Sequence, residues 1–283
     1  MKSKITLFAI LITLILIAPS FSFSQVSNGA QEDDGYVYDV VDPKTLEIDL
    51  DLNLEHYYTN TNANAKRVQL NIQADLKYFN APSITIRYGI IKNLEFQVLT
   101  GYTGVLTDAT ATIKTKKSRV ISASNNTTGL SSLSAGFKVG LMANKNWRPS
   151  ASFTGLVTIP GIGNPAFTPD NPGFDIGLNF YNPLNDEIDV SYGLGTVWSG
   201  YKDDPDNSYN YNISAGYTFS EVFGAYLDFT GLYQKGYSPD NRFDVDLSFA
   251  INDNLIFDVY GGTSFNIKRF YFIGSSISAT IPF

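Results

Sequence analysis

The chain has 283 residues, no cysteine and a formal charge of −7. The missing thiols exclude a disulfide framework, a thiolate metal site and a cysteine nucleophile. The acidic balance argues against a nucleic-acid partner, whose phosphates require basic surface. Mean hydropathy is near zero, which excludes a polytopic helical membrane protein but suits strands that mix lipid-facing and water-facing residues.

The N-terminus reads as a processing signal over residues 1–24. Lys2 and Lys4 precede an apolar run, Ile5 to Ile17, broken by Thr6 and Thr13. That run is too short for a spanning helix, and Ser22 and Ser24 supply the small residues of a cleavage site, making Gln25 the expected mature start. Residues 25–44, with Glu32, Asp33 and Asp34, read as a polar periplasmic tail. Folding of this tail into the lumen is the alternative.

From Leu46 the period becomes two. Leu46, Ile48, Leu50, Leu52 and Leu54 alternate with Glu47, Asp49, Asp51, Asn53 and Glu55. A helix would scatter these charges around its circumference, whereas a strand sorts them to one face. Val68, Leu70, Ile72, Ala74 and Leu76 alternate in the same way with Gln69, Asn71, Gln73, Asp75 and Lys77. Later strands are expected at 133–141, 151–159, 174–180, 188–198, 209–219, 223–233, 243–251, 255–265 and 271–283. At ~3.3 Å per residue and ~40° tilt, ten residues cover roughly 25 Å, the apolar height of an outer-membrane barrel.

Short connections, such as Lys92-Asn93, Ser220-Glu221 and Asn252-Asp253-Asn254, alternate with longer ones near 103–129, 160–172, 199–207 and 234–241. Short periplasmic turns and long external loops are the outer-membrane pattern. These features predict an all-β fold over 45–283, a transmembrane antiparallel up-and-down barrel of about 12 strands, with 14 as the alternative count. The doubtful place is Asn80-Ala81-Pro82. Tyr78, Ile84, Ile86, Tyr88 and Ile90 share one parity, which favours a single long strand kinked at Pro82 over a turn. The last strand ends on Phe283, a terminal aromatic of the kind that the barrel-assembly machinery engages.

Three stretches resemble a known family. Arg87-Tyr88-Gly89-Ile90 followed by Asn93-Leu94-Glu95-Phe96 resembles a turn of the outer-membrane transporters grouped under the meta-pathway of phenol degradation. Gly129 to Leu133 with Gly136-Phe137-Lys138, and Val157 to Gly161, are similar to two further strand motifs of that family. The chain departs from the pattern at Ser131-Ser132, where relatives often carry Gly-Asp. The resemblance covers 45–283 and implies a barrel of roughly 12 strands and a transport role, often presumed for hydrophobic or aromatic compounds.

Strand parity predicts a lumen lined by Glu47, Asp49, Asp51, Glu55, Asp75, Glu95, Asp175, Asp189, Asp228, Asp244, Asp246 and Asp258, with Lys77, Arg87 and Lys138 as the inward bases. An acidic lumen favours cations, as charged rings do in channels; carboxylates that merely hydrate the interior are the alternative. Gly136, Gly140, Gly177, Ser191, Gly193, Gly195, Ser214, Gly216, Gly262 and Gly274 are also expected inward, where small side chains leave room or ease curvature. The connection at 103–129, with Lys114, Lys116, Lys117 and Arg119, reads as an external loop that either folds inward, binds lipopolysaccharide phosphates or stays solvated. Tyr57, Tyr102, Trp147, Trp198, Tyr209, Phe219 and Phe270 sit near strand ends, where interfacial girdles belong.

Enzymatic signatures are missing. The single histidine, His56, has outward parity and no matching nucleophile motif for a triad. No phosphate-binding loop or zinc pair occurs, and Asp203 to Asn207 reads as a solvated turn rather than a calcium loop. No cofactor is expected. The expected partners are outer-membrane lipid and lipopolysaccharide, the assembly machinery and a small solute. The expected function is a channel for passive passage, with a closed adhesive or structural barrel as the alternative.

Overall fold

A computed structural model describes residues 40–65, 68–114, 118–145, 148–202, 207–267 and 269–283. The processing signal, Gln25, the tail acids at 32–34, Lys116, Lys117, Trp147 and Asp203 to Asp206 lie outside the described residues. Thirteen strands follow one another: β1 Thr45–Ala65, β2 Val68–Ile91, β3 Leu94–Lys114, β4 Ser118–Leu130, β5 Leu133–Met142, β6 Ser150–Ile159, β7 Gly173–Pro183, β8 Ile188–Trp198, β9 Ser208–Ser220, β10 Phe223–Gln234, β11 Asp240–Asn252, β12 Leu255–Ser264 and β13 Phe270–Pro282. No described residue is helical.

Each strand pairs antiparallel with its sequence neighbour, except that β5 joins the lower part of β3. β13 pairs with β1 from Thr45↔Pro282 to Tyr57↔Phe270. The sheet therefore closes as a 12-stranded barrel, with β4 as an additional strand outside the circle. Closure leaves no strand edge at membrane depth, where an unpaired backbone group would find no water.

The expected alternation holds through most of the wall. Along β11 the outward residues Phe243, Val245, Leu247 and Phe249 are exposed, whereas the acids between them are half-buried. On β13, Ile273, Ile277 and Ile281 face out while Ser276 and Ser278 are buried inside. Outward aromatics cluster toward both ends of the wall. Tyr217, Phe219, Phe223 and Phe249 form a chain of ring contacts near the short turns. Tyr211, Phe229, Phe243 and Phe265 do so near the longer connections. Tyr102, Trp198, Tyr209 and Phe219 are exposed, as the girdle reading requires.

Three expectations are corrected. First, residues 103–129 are not a loop. The upper part of β3, from Tyr102 to Lys114, pairs with β4 in unbroken register, and β1 and β2 rise beside it. Thr, Ser and Asn gave the stretch a loop-like composition, but Val105, Thr107, Ala109, Ala111 and Ile113 keep a period of two, and threonine is at home in strands.

Second, β2 is one strand, as expected, but its parity does not survive Pro82. Between Asn80 and Ser83, β2 carries one residue more than either neighbour, because Asn80↔Asn53 is followed by Ser83↔Asp51 and Asn80↔Thr103 by Ser83↔Gly101. Proline has no N–H for the ladder, and a bulge is where a sheet accommodates it. One extra residue exchanges the faces. Beyond the bulge Ala74, Leu76 and Tyr78 belong to the inner face, and Asp75 and Lys77 to the outer one. Asp75 is thus not in the lumen: its Oδ1 lies 3.0 Å from Nε2 of the outward His56, whose ring packs beside Tyr271.

Third, Tyr57 and Phe270 are not girdle residues. They pair across β1 and β13 on the inner face, and Phe270 is only 2% exposed.

If outward residues meet hydrocarbon, Leu247→Arg, near the middle of β11, should destabilise the folded barrel in lipid vesicles by about 2–4 kcal/mol. The inward neighbour Ser248→Arg should cost far less. Urea unfolding of both variants in vesicles measures the contrast.

Candidate functional site: the barrel lumen

The inner face places most of the expected side chains together. Glu47, Asp49, Asp51, Arg87, Glu95, Lys138, Asp175, Asp189, Asp228, Asp244, Asp246 and Asp258 all project inward by register with the residues beside them. Asp75 and Lys77 do not, for the reason given above. The carboxylates are unevenly spread. Asp228, Asp244, Asp246 and Asp258 occupy three adjacent strands, β10 to β12, and Asp228 stands directly opposite Asp244. Carboxylates that are both ionised in that position repel.

Near the short-turn end, Arg87 holds three acids together. Its guanidinium pairs with Glu47, lies 3.5 Å from Asp49 and 3.8 Å from Glu95. Gln97 donates to Glu95, and Lys138 is the cross-strand neighbour of Glu95 on β5. A planar fork with five donors suits such shared pairing.

The start of the chain enters this cluster. Val40 and Val41 are buried, and the Val41 N–H donates to Glu95 Oε2 at 2.6 Å. Pro43 bridges to Gly89, and the Lys44 N–H donates to the Gly89 carbonyl. A Cβ on Gly89 would collide with the backbone of Asp42, so glycine is what lets the chain pass over β2 here. Residues 40–43 therefore lie inside the barrel end rather than in a free tail.

Toward the other end, Arg242 forms a second cluster that parity had missed. Its Nη1 donates to Glu55 at 3.1 Å, Nε to Asp240 at 2.9 Å and Nη2 to the Tyr57 hydroxyl at 3.0 Å. The guanidinium carbon sits 4.6 Å from the Phe270 ring centre and 5.9 Å from that of Phe272. The sequence signal was present, because Arg242 shares parity with Asp244 and Asp246. It was passed over because the expected strand began at Phe243, one residue too late. Charge on the arginine offsets the burial of Glu55, which is only 2% exposed.

The connections near this end are stitched to one another. Asn164 in the β6–β7 connection donates through N–H to Leu130 and through its amide to Thr128, both at the base of β4. The Asn171 N–H donates to Gly200, and the Lys202 N–H to Asp170. Burial pushes the Tyr201 phenol up to about 12, with Tyr78 and Asp170 close enough to add to the shift.

Among the described residues, no group of three His, Cys, Asp or Glu is placed to hold a metal ion. The arrangement is an enclosed inner face with charged clusters toward both ends and Asp228, Asp244, Asp246 and Asp258 on the wall between them.

Comparison with known proteins agrees with this architecture. No curated protein matches the chain. Among solved structures, an outer membrane channel from Pseudomonas putida F1 is similar at 12% identity and TM-score 0.51, covering 89% of this chain and 100% of that one. The CymD monoaromatic hydrocarbon channel is 10% identical at TM-score 0.40, covering 85% and 89% of the two chains. The toluene transporter TbuX of Ralstonia pickettii is 10% identical at TM-score 0.42, covering 86% and 90%. The family described as "Putative MetA-pathway of phenol degradation" matches residues 55–281, so this chain belongs to that family.

Proposed function

We propose that the protein is a passive outer-membrane channel for small solutes, and that its lumen favours cations. The observation that carries this reading is the excess of inward carboxylates over inward bases. Arg87 and Arg242 are each engaged by several acids at opposite ends, while Asp228, Asp244, Asp246 and Asp258 stand together between them. Charge of one sign along a low-dielectric passage raises the local concentration of counter-ions. Membership of the family and the likeness to an outer membrane channel are consistent with this placement.

The short-turn end is the periplasmic one on this reading. Export by a cleaved signal over 1–24 and recognition of the strand ending in Phe283 by the assembly machinery belong to the same proposal. Lipopolysaccharide and outer-leaflet lipid would surround the opposite rim, where the four-stranded projection of β1 to β4 rises. Residues 40–43, pinned to Gly89 and Glu95, narrow the periplasmic mouth and make passage selective rather than free. Hydrophobic or aromatic solutes remain within this proposal, because the upper lumen also carries Leu156, Val197, Phe270 and Phe272.

In planar bilayers under a KCl gradient, the purified chain should conduct with a reversal potential of cation preference. Replacing Asp228, Asp244 and Asp246 together by Asn should move the K⁺/Cl⁻ permeability ratio toward one. A silent bilayer, or a preference that ignores the triple variant, would overturn the reading. A second measurement addresses the mouth. Gly89→Val puts a side chain where the Asp42 backbone runs and should displace residues 40–43, giving a larger single-channel conductance than the parent.

A further inference from the structure

One lateral row of the inner face has an order that the channel reading does not use. Following the hydrogen-bonded register from β1 to β8, the residues are Asn53, Gly274, Tyr260, Asp246, Tyr226, Gly216 and Asp189. Asp246 is at the centre, with a tyrosine on each side and a glycine beyond each tyrosine.

The glycines explain what the tyrosines do. A Cβ on Gly274 would fall on the Tyr260 ring, and a Cβ on Gly216 on the Tyr226 ring. Each ring therefore lies over the glycine of the neighbouring strand, on the side away from Asp246. The Tyr260 hydroxyl is tied down by donation to Asp51 Oδ2 at 2.6 Å. At the other end, the Asp189 carboxylate shares the space over Gly216 with the Tyr226 ring.

The row also holds acceptors without donors. The buried Asp246 Oδ1 has no hydrogen-bond partner, and neither does Asn53 Oδ1, on a residue only 6% exposed. A buried acceptor left unsatisfied costs free energy, and none of the seven residues of the row is a base. Arg87 and Arg242 are occupied by other acids. No three carboxylates among the described residues converge as an oxygen cage for a metal ion.

A carboxylate flanked in its row by two tyrosine rings, with spare acceptors, is the chemistry that recognises an ammonium group bearing apolar substituents. The carboxylate supplies charge, and the ring faces attract the cation through their quadrupoles while covering its carbon atoms. We propose that this row is a binding site for organic ammonium ions on their way through the barrel. The inference rests on the channel reading and narrows its solute to amines with an apolar body.

The test uses triethylammonium, which keeps one N–H donor, as the probe on the full-length chain refolded in detergent. Calorimetric titration should detect binding to the parent. The double variant Tyr226→Leu and Tyr260→Leu should weaken it about tenfold, and Asp246→Asn should weaken it as well. Tyr226→Phe with Tyr260→Phe keeps both ring faces and should retain most of the affinity, which separates recognition from a folding defect. In bilayers, triethylammonium should reduce the K⁺ current of the parent and of the Phe variant at concentrations that leave the Leu variant unaffected. Equal titrations for the parent and the Leu variant, or none for the parent, overturn the inference even if the barrel conducts. Binding that depends on the rings in a barrel that does not conduct supports the site and counts against the channel.

Discussion

Backbone hydrogen bonding in hydrocarbon is the constraint from which the rest of this structure follows. Inside a bilayer no water is present to satisfy an N–H or C=O, so a spanning sheet must close on itself. Pairing of β13 with β1 does this. Once the wall is closed, every strand has one face in lipid and one in the enclosed interior, and side-chain chemistry is sorted by parity. Beyond the rim the requirement lapses. There β1 to β4 continue as an open sheet, and its outer face turns polar with Asn60, Asn71, Gln73 and Asp75. Asn71 bridges Asn60 and Asn62 at 3.0 and 2.7 Å on that face.

Sorting by parity concentrates carboxylates inside, and that concentration has to be offset. The two arginines do so locally, each serving several acids. Between their clusters, on the wall of β10 to β12, hydroxyls serve single acids, as Ser276 does in donating to Asp258 at 2.9 Å. The same wall carries Tyr226 and Tyr260 over glycines, so charge and aromatic surface coincide at one depth.

Most of the barrel was legible in the sequence because lipid imposes a strict contrast on alternate residues. Leu46 to Glu55 and Phe243 to Ile251 needed no other information. Legibility failed where that contrast weakens. The projection above the rim has water on its outer side, so Thr and Asn there resembled a loop although they form β3 and β4. At Pro82 a single extra residue exchanged the faces of everything before it, which took Asp75 and Lys77 out of the lumen. Tyr57 and Phe270 were misplaced because an aromatic near a strand end satisfies a girdle and an internal cation–π contact equally well. Arg242 was lost to a strand boundary one residue too short. The row around Asp246 was not legible at all, since it depends on cross-strand register between seven strands, which a linear pattern does not specify.

The most direct measurement of the central claim is cysteine accessibility along β11, which the absence of native cysteine makes clean. Single cysteines placed at 243 to 249 in turn would be exposed to a charged, membrane-impermeant thiol reagent with the barrel in lipid vesicles. Labelling should alternate, with 244, 246 and 248 reactive and 243, 245, 247 and 249 protected. Uniform labelling, or reactivity at the odd positions instead, would contradict the assignment of carboxylates to a water-filled interior.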